Sequence, residues 1–102
     1  MKVKQFKNKN QFYIELDNGN IYLQSYESIV AEWDDERERL YLGADWCYSR
    51  TTLKHLYLFI EELDVYDDNV RAVQEALRTS ENKKQALHKC LKKGLIGFND
   101  CL

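Results

Sequence analysis

Gln11-Phe12-Tyr13-Ile14-Glu15-Leu16-Asp17-Asn18-Gly19-Asn20-Ile21-Tyr22-Leu23-Gln24 is the stretch that decides the fold. Apolar residues fall at every second position on either side of its centre: Phe12, Ile14 and Leu16 before, Ile21 and Leu23 after. A period of two sends successive side chains to opposite faces of a strand. Asn18-Gly19 between two such runs is hairpin-turn chemistry, because both residues tolerate positive φ. The chain therefore opens on an antiparallel hairpin, and Val3 to Lys7 is expected to add a strand beside it.

Working outward, residues 28–33 and 38–43 read as a second hairpin around Asp34-Asp35-Glu36-Arg37. A helix from Ser25 to Trp33 is the rival, since Ser25 and Ser28 are good caps. Ile29, Val30 and the alternation of Leu40-Tyr41-Leu42 favour strands. The period then changes. Leu53, Leu56, Tyr57, Ile60 and Leu63 recur at helical spacing behind Ser49-Arg50-Thr51-Thr52, whose hydroxyls can satisfy orphan amides while Trp46 and Tyr48 anchor the incoming loop. Asp67 or Asp68 can cap a second helix with Val70, Val73, Ala76 and Leu77 inward. Ser80 can cap a third, with Leu87, Cys90 and Leu91 inward and Gly94 as its stop. The apolar tail Leu95 to Phe98 is expected to pack back on the core. The expectation is one α+β domain over residues 1–102, with an antiparallel sheet of about four or five strands followed by about three helices.

The 102 residues carry a net charge of −2, but unevenly. Residues 1–10 hold four Lys and no acid. Residues 11–75 hold fifteen Asp and Glu against five Lys and Arg, a net of −10. Residues 76–102 return to +4, with Lys83, Lys84, Lys89, Lys92 and Lys93 along the third helix. An acidic surface of this size can steer and hold a basic partner. The expected partner-binding residues are Asp34, Asp35, Glu36, Glu61, Glu62, Asp64, Asp67 and Asp68. The sequence pI of about 5.7 lies far from the basic values, above ~9, of nucleic-acid-binding domains, which argues against direct DNA or RNA binding. No run reaches the ~18 apolar residues of a membrane span, and the basic start has no apolar stretch behind it. The three cysteines then read as reduced thiols in a cytoplasmic protein.

Signatures of catalysis are missing. The four glycines are scattered and form no phosphate loop or nucleophile elbow. Cys47 and His55 could be drawn as a nucleophile and base, but nothing supplies an orienting partner, and the expectation is a protein that is not an enzyme. For metal, Cys47, His88, Cys90 and Cys101 could form a Cys3His structural zinc centre, with His55 as the alternative ligand. Against it, no Cys-x-x-Cys knuckle occurs, and His88 and Cys90 point about 200° apart on a helix. The bland reading makes Cys90 core, Cys101 an end thiol and Cys47 a small buried residue.

Gln24-Ser25-Tyr26-Glu27-Ser28-Ile29-Val30-Ala31, Leu40-Tyr41-Leu42 and Trp46-Cys47-Tyr48-Ser49-Arg50-Thr51-Thr52-Leu53-Lys54-His55-Leu56 together resemble a group of short proteins carried by phages and mobile elements of Gram-positive bacteria. The resemblance covers residues 11–60, and Trp-x-Tyr-Ser-x-Thr-Thr-x-Lys-His is its most specific part. That group usually has Asp where Cys47 stands, which fits a cysteine recruited for something local. Small acidic α+β phage proteins without catalytic residues are similar to anti-CRISPR proteins. The implied function is an inhibitor that binds a host protein, a type II CRISPR effector nuclease, and blocks its nucleic-acid engagement. The alternative is a small phage accessory protein that binds DNA or RNA through the lysine-rich helix.

Overall fold

The structure, a computed structural model, describes residues 2–5 and 10–102. It is α+β, with β1 (Lys2–Gln5), β2 (Gln11–Glu15), β3 (Ile21–Ser25), β4 (Ser28–Asp34) and β5 (Arg39–Leu42) leading into α1 (Arg50–Glu62), α2 (Asp68–Thr79) and α3 (Lys83–Lys93), and β6 (Gly97–Phe98) closing the chain. The strands lie in the order of the sequence as one six-stranded sheet. The first five are antiparallel, and β6 returns after the helices to pair parallel with β5. Phe6 and Lys7 of the expected first strand lie outside the described residues.

Segment 28–34 is a strand, as its β-branched residues favoured, and not a helix. Ile21 and Leu23 sit across from Trp33 and Ala31, which in turn face Leu40 and Leu42. These six side chains are buried and form the sheet side of the core. A register shift between Leu23 and Gln24 leaves Val30 as an extra residue in β4, so that Val30 and Ala31 are both buried. Such a bulge bends its strand and increases the local twist.

On β2 the core face is occupied by Gln11 and Tyr13, which pair with Ser25 and Leu23. Phe12, Ile14 and Leu16, whose alternation announced the strand, are only half-buried. Alternation fixes that two faces exist, while the neighbouring strand's register decides which one the helices cover. Tyr13 packs its ring on Phe59 of α1, with centroids 5.8 Å apart.

The helices bury Leu56, Phe59, Ile60, Val70, Val73, Leu77, Leu87 and Cys90 in the same cluster. Ser49 caps α1 by accepting from the Thr52 amide, and Asp67 caps α2 by accepting from Val70. The third cap is Asn82, not Ser80. Ser80 ends α2 and uses its hydroxyl on the Asn82 backbone instead. Gly94 stops α3 in the left-handed conformation at φ 79°, which costs glycine no Cβ clash. Beyond it Ile96 is buried, but Phe98 is 54% exposed, so the tail packs back only in part. Among the described residues, no helix is long and apolar enough to cross a membrane.

Candidate functional site

The acids of the central segment are drawn together from parts of the chain far apart in sequence. The β2–β3 and β4–β5 turns meet at one end of the sheet, where the Asp35 amide donates to the Asn20 side chain at 2.9 Å. The Asp35 carboxylate lies against Gly19 so closely that a Cβ there would come within 2.7 Å of it. The C-terminal end of α1 reaches the same region. Tyr13 is held above its ordinary pKa by burial and then by the charges of Glu15 and Asp64, one from β2 and one from beyond α1. Glu15 and Asp64 are thus both near Tyr13, and Asp35 lies at the turn that follows β2.

Several of these acids also perform local structural work. Asp34 accepts from the Arg37 amide and pairs with its guanidinium at 3.8 Å. Asp35 accepts from the Trp33 indole at 3.2 Å. Glu61 faces Arg78 at 3.7 Å, and Asp67 is the α2 cap. Asp68 stands in the first turn of α2, where the helix dipole favours a carboxylate. Glu36 and Asp64 are exposed acids with no hydrogen bond or ion pair among the described residues.

The expected metal ligands are not assembled. Among the described residues, no three of His, Cys, Asp and Glu are grouped so as to hold a metal ion. Cys90 faces inward and burial pushes its thiol pKa up, whereas a zinc thiolate needs the opposite shift. His88, two positions earlier on the helix, is exposed and meets the edge of Trp46, with centroids 4.9 Å apart. Cys101 is exposed and points its thiol toward Asp100 at 3.7 Å, and Cys47 is half-buried against the core. His88 and Cys90 share α3 but are exposed and buried respectively, and His55, the alternative ligand, is engaged by Ser25.

His55 lies midway along α1, with 2% exposure. Its Nδ1 is 2.6 Å from the Ser25 hydroxyl, and its backbone carbonyl accepts from the Gln11 side chain at 3.0 Å. Burial first, and Lys54 second, lower its pKa below the ordinary range. The Ser25–His55 distance suits a base acting on a hydroxyl, but Nε2 makes no hydrogen bond among the described residues that would orient the ring as a triad does. The cluster fastens α1 to the sheet.

Above this cluster opens a cavity of about 370 Å³. One wall is the β3–β4 turn with Ser25, Tyr26 and Ser28, and Val30 below them. The other is the approach to α1 with Asp45, Tyr48, Ser49, Thr51 and Thr52. Seven of these nine residues carry a hydroxyl. Ser28 donates to Asp45 at 3.2 Å, and Ser49 donates to Thr52 at 3.1 Å. Tyr26 holds a positive φ of 56°, a conformation usually left to glycine or asparagine, and its ring lies 5.9 Å from that of His55. Tyr48, expected to anchor the loop, is 83% exposed at the mouth, and Trp46 alone is buried.

In the sequence the Ser and Thr hydroxyls read as helix caps, and no motif marks a cavity. The available signal was the density of Ser, Thr and Tyr in residues 25–28 and 48–52. That the two runs face each other is a tertiary fact. A family of unknown function, DUF8033, matches residues 1–77, and the chain belongs to it. Both cavity walls and every expected partner-binding acid fall within that span, whereas α3 and the tail with Cys90 and Cys101 fall outside it. No curated protein and no solved structure matches the chain.

Proposed function

We propose that this DUF8033 member works by binding and not by turnover, holding a basic surface of a host protein against the acidic end of the domain. The observation that supports the reading is that the β2–β3 and β4–β5 turns meet at Asp35, while Glu15 of β2 and Asp64 beyond α1 both lie near Tyr13. Same-sign charge gathered on one end raises the rate of encounter with an oppositely charged surface and disfavours wrong partners. The likeness of residues 11–60 to phage-borne proteins directs the choice of partner to a type II CRISPR effector nuclease, whose nucleic-acid channel is basic. Occupying that channel would block its engagement of nucleic acid.

The test uses exposed acids that hold no turn or cap, Glu61 making a surface ion pair with Arg78. Glu36→Lys, Glu61→Lys and Asp64→Lys, combined, change the charge of the end by +6 while sparing the turn bonds of Asp34 and Asp35 and the cap of Asp67. Binding to the purified effector is expected to weaken steeply with this variant and with rising salt. Full affinity in the triple variant would sink the reading. The rival, nucleic-acid binding through the α3 lysines, predicts instead a gel shift with DNA or RNA that salt abolishes and the triple variant leaves intact or strengthens.

A further inference from the structure

We infer that the cavity between the β3–β4 turn and the start of α1 binds a neutral sugar ring, free or as the ribose of a nucleoside. Its volume of about 370 Å³ is that of a small-ligand site. The lining narrows the chemistry. A hydroxyl both donates and accepts, so a wall built of Ser, Thr and Tyr matches a ligand whose own groups are hydroxyls. Asp45 already accepts from Ser28 through one oxygen, and its other oxygen has no protein hydrogen bond among the described residues. A carboxylate in that state is suited to a sugar hydroxyl, as it is in ribose recognition. Tyr26 and Tyr48 stand half and mostly exposed beside the opening, with Val30 beneath, offering flat apolar surface to the C–H face of a ring.

Charge decides against the other ligand classes. Among the described residues no Lys or Arg lines the cavity, so a phosphate or carboxylate would confront Asp45 with only the α1 N-terminus to offset it. The positive end of α1, whose first turn forms one wall, faces the same cavity as Asp45, so a ligand of either sign meets one charge that opposes it. A neutral polyol suffers neither opposition. The hydroxyls are also held before any ligand arrives: Ser25 by His55, Ser49 by Thr52 and Ser28 by Asp45. Holding polar groups in place beforehand lowers the ordering cost of binding. The site stands at the other end of α1 from the acids and does not depend on what they bind.

Amide chemical shifts of isotope-labelled full-length protein test this directly. The probes are neutral mono- and disaccharides, adenosine and uridine, with AMP and lysine methyl ester as the anionic and cationic comparisons. Saturable shifts confined to the amides of residues 25–28 and 45–52 are expected with neutral probes. A response to saccharides alone assigns a free sugar, and a response to nucleosides alone assigns ribose. Asp45→Asn should weaken the response about tenfold, as for one lost hydrogen bond to a charged group. Tyr48→Ala should weaken it too, and because both residues are exposed the rest of the spectrum should stay unchanged. The proposal is overturned by no saturable response to any neutral probe, by an undiminished response in Asp45→Asn, or by tighter binding of AMP or of the lysine ester.

Discussion

The two ends of α1 gather polar residues by different physical routes. At the C-terminal end, Glu61, Glu62 and Asp64 are exposed, and Asp64 shares the surroundings of Tyr13 with Glu15, so that the property there is net charge. Toward the N-terminal end, Ser25 bonds to His55 and Ser49 to Thr52 beside a cavity, and the property there is shape and hydrogen-bonding capacity. Charge acts at a distance and tolerates the loss of one member. A hydroxyl cluster acts at contact, and each member's position depends on the next. The ends should therefore respond to mutation in opposite ways, with the hydroxyl end losing stability and the acidic end losing only a partner.

The largest expected effect lies behind the hydroxyl end. Trp46 is 4% exposed and carries the loop that forms one cavity wall. Truncating a buried aromatic typically costs ~3–5 kcal/mol, so Trp46→Ala should lower the thermal midpoint by the largest margin of any change named here. An unchanged midpoint would mean that this wall is not supported by the core.

His55→Ala comes next. It leaves the buried Ser25 hydroxyl without its partner, and an orphaned buried polar group costs ~1–3 kcal/mol. The same residue gives this end a pH dependence. Because burial depresses the folded-state pKa of His55, its contribution is fully present above its unfolded value of about 6.5. Below that, the unfolded chain takes up a proton that the folded protein refuses, so stability falls as pH drops toward the folded pKa. Denaturant midpoints followed from pH 7.5 down to pH 5 should decline in the native protein and decline less in His55→Gln. Parallel curves for the two would remove His55 as the cause.

A smaller effect compares the caps. Ser49→Ala at the hydroxyl end and Asp67→Ala beyond the acidic end should each cost ~0.5–2 kcal/mol. Having no shared partner, they should add in the double variant. A clear departure from additivity would show the two ends coupled through α1. Smallest in stability is the reversal of Glu36, Glu61 and Asp64 to Lys, expected to stay within about 1 kcal/mol because these side chains are exposed and the only ion pair lost is a surface one. A much larger loss in chemical melts would make the acidic end structural and dissolve the contrast.

Some of this could be read from residues alone, because the governing physics is local. The Asn18-Gly19 hairpin, the switch from period two to helical period near Ser49, the caps Ser49 and Asp67, and the stop at Gly94 each depend on a few neighbouring residues. The α+β class followed from those signals. The excess of acid between residues 11 and 75 is likewise a property of composition. What required the folded chain was everything set by register and by long-range packing. Ser80 and Asn82 are both competent caps, and the path between α2 and α3 chose Asn82. Alternation in β2 named two faces, and pairing of Leu23 with Tyr13 turned Tyr13, not Phe12 or Ile14, toward the helices. Of the cysteines and histidines that sequence allowed to converge, His88 is exposed and Cys90 buried on the same helix, and among the described residues no three donors meet. The cavity arose because α1 begins beside the β3–β4 turn, bringing hydroxyls from residues 25–28 and 48–52 face to face. Local propensity carries no information about such a meeting, since the free energy that fixes it comes from burying Trp46, Leu56 and Phe59 in the shared core.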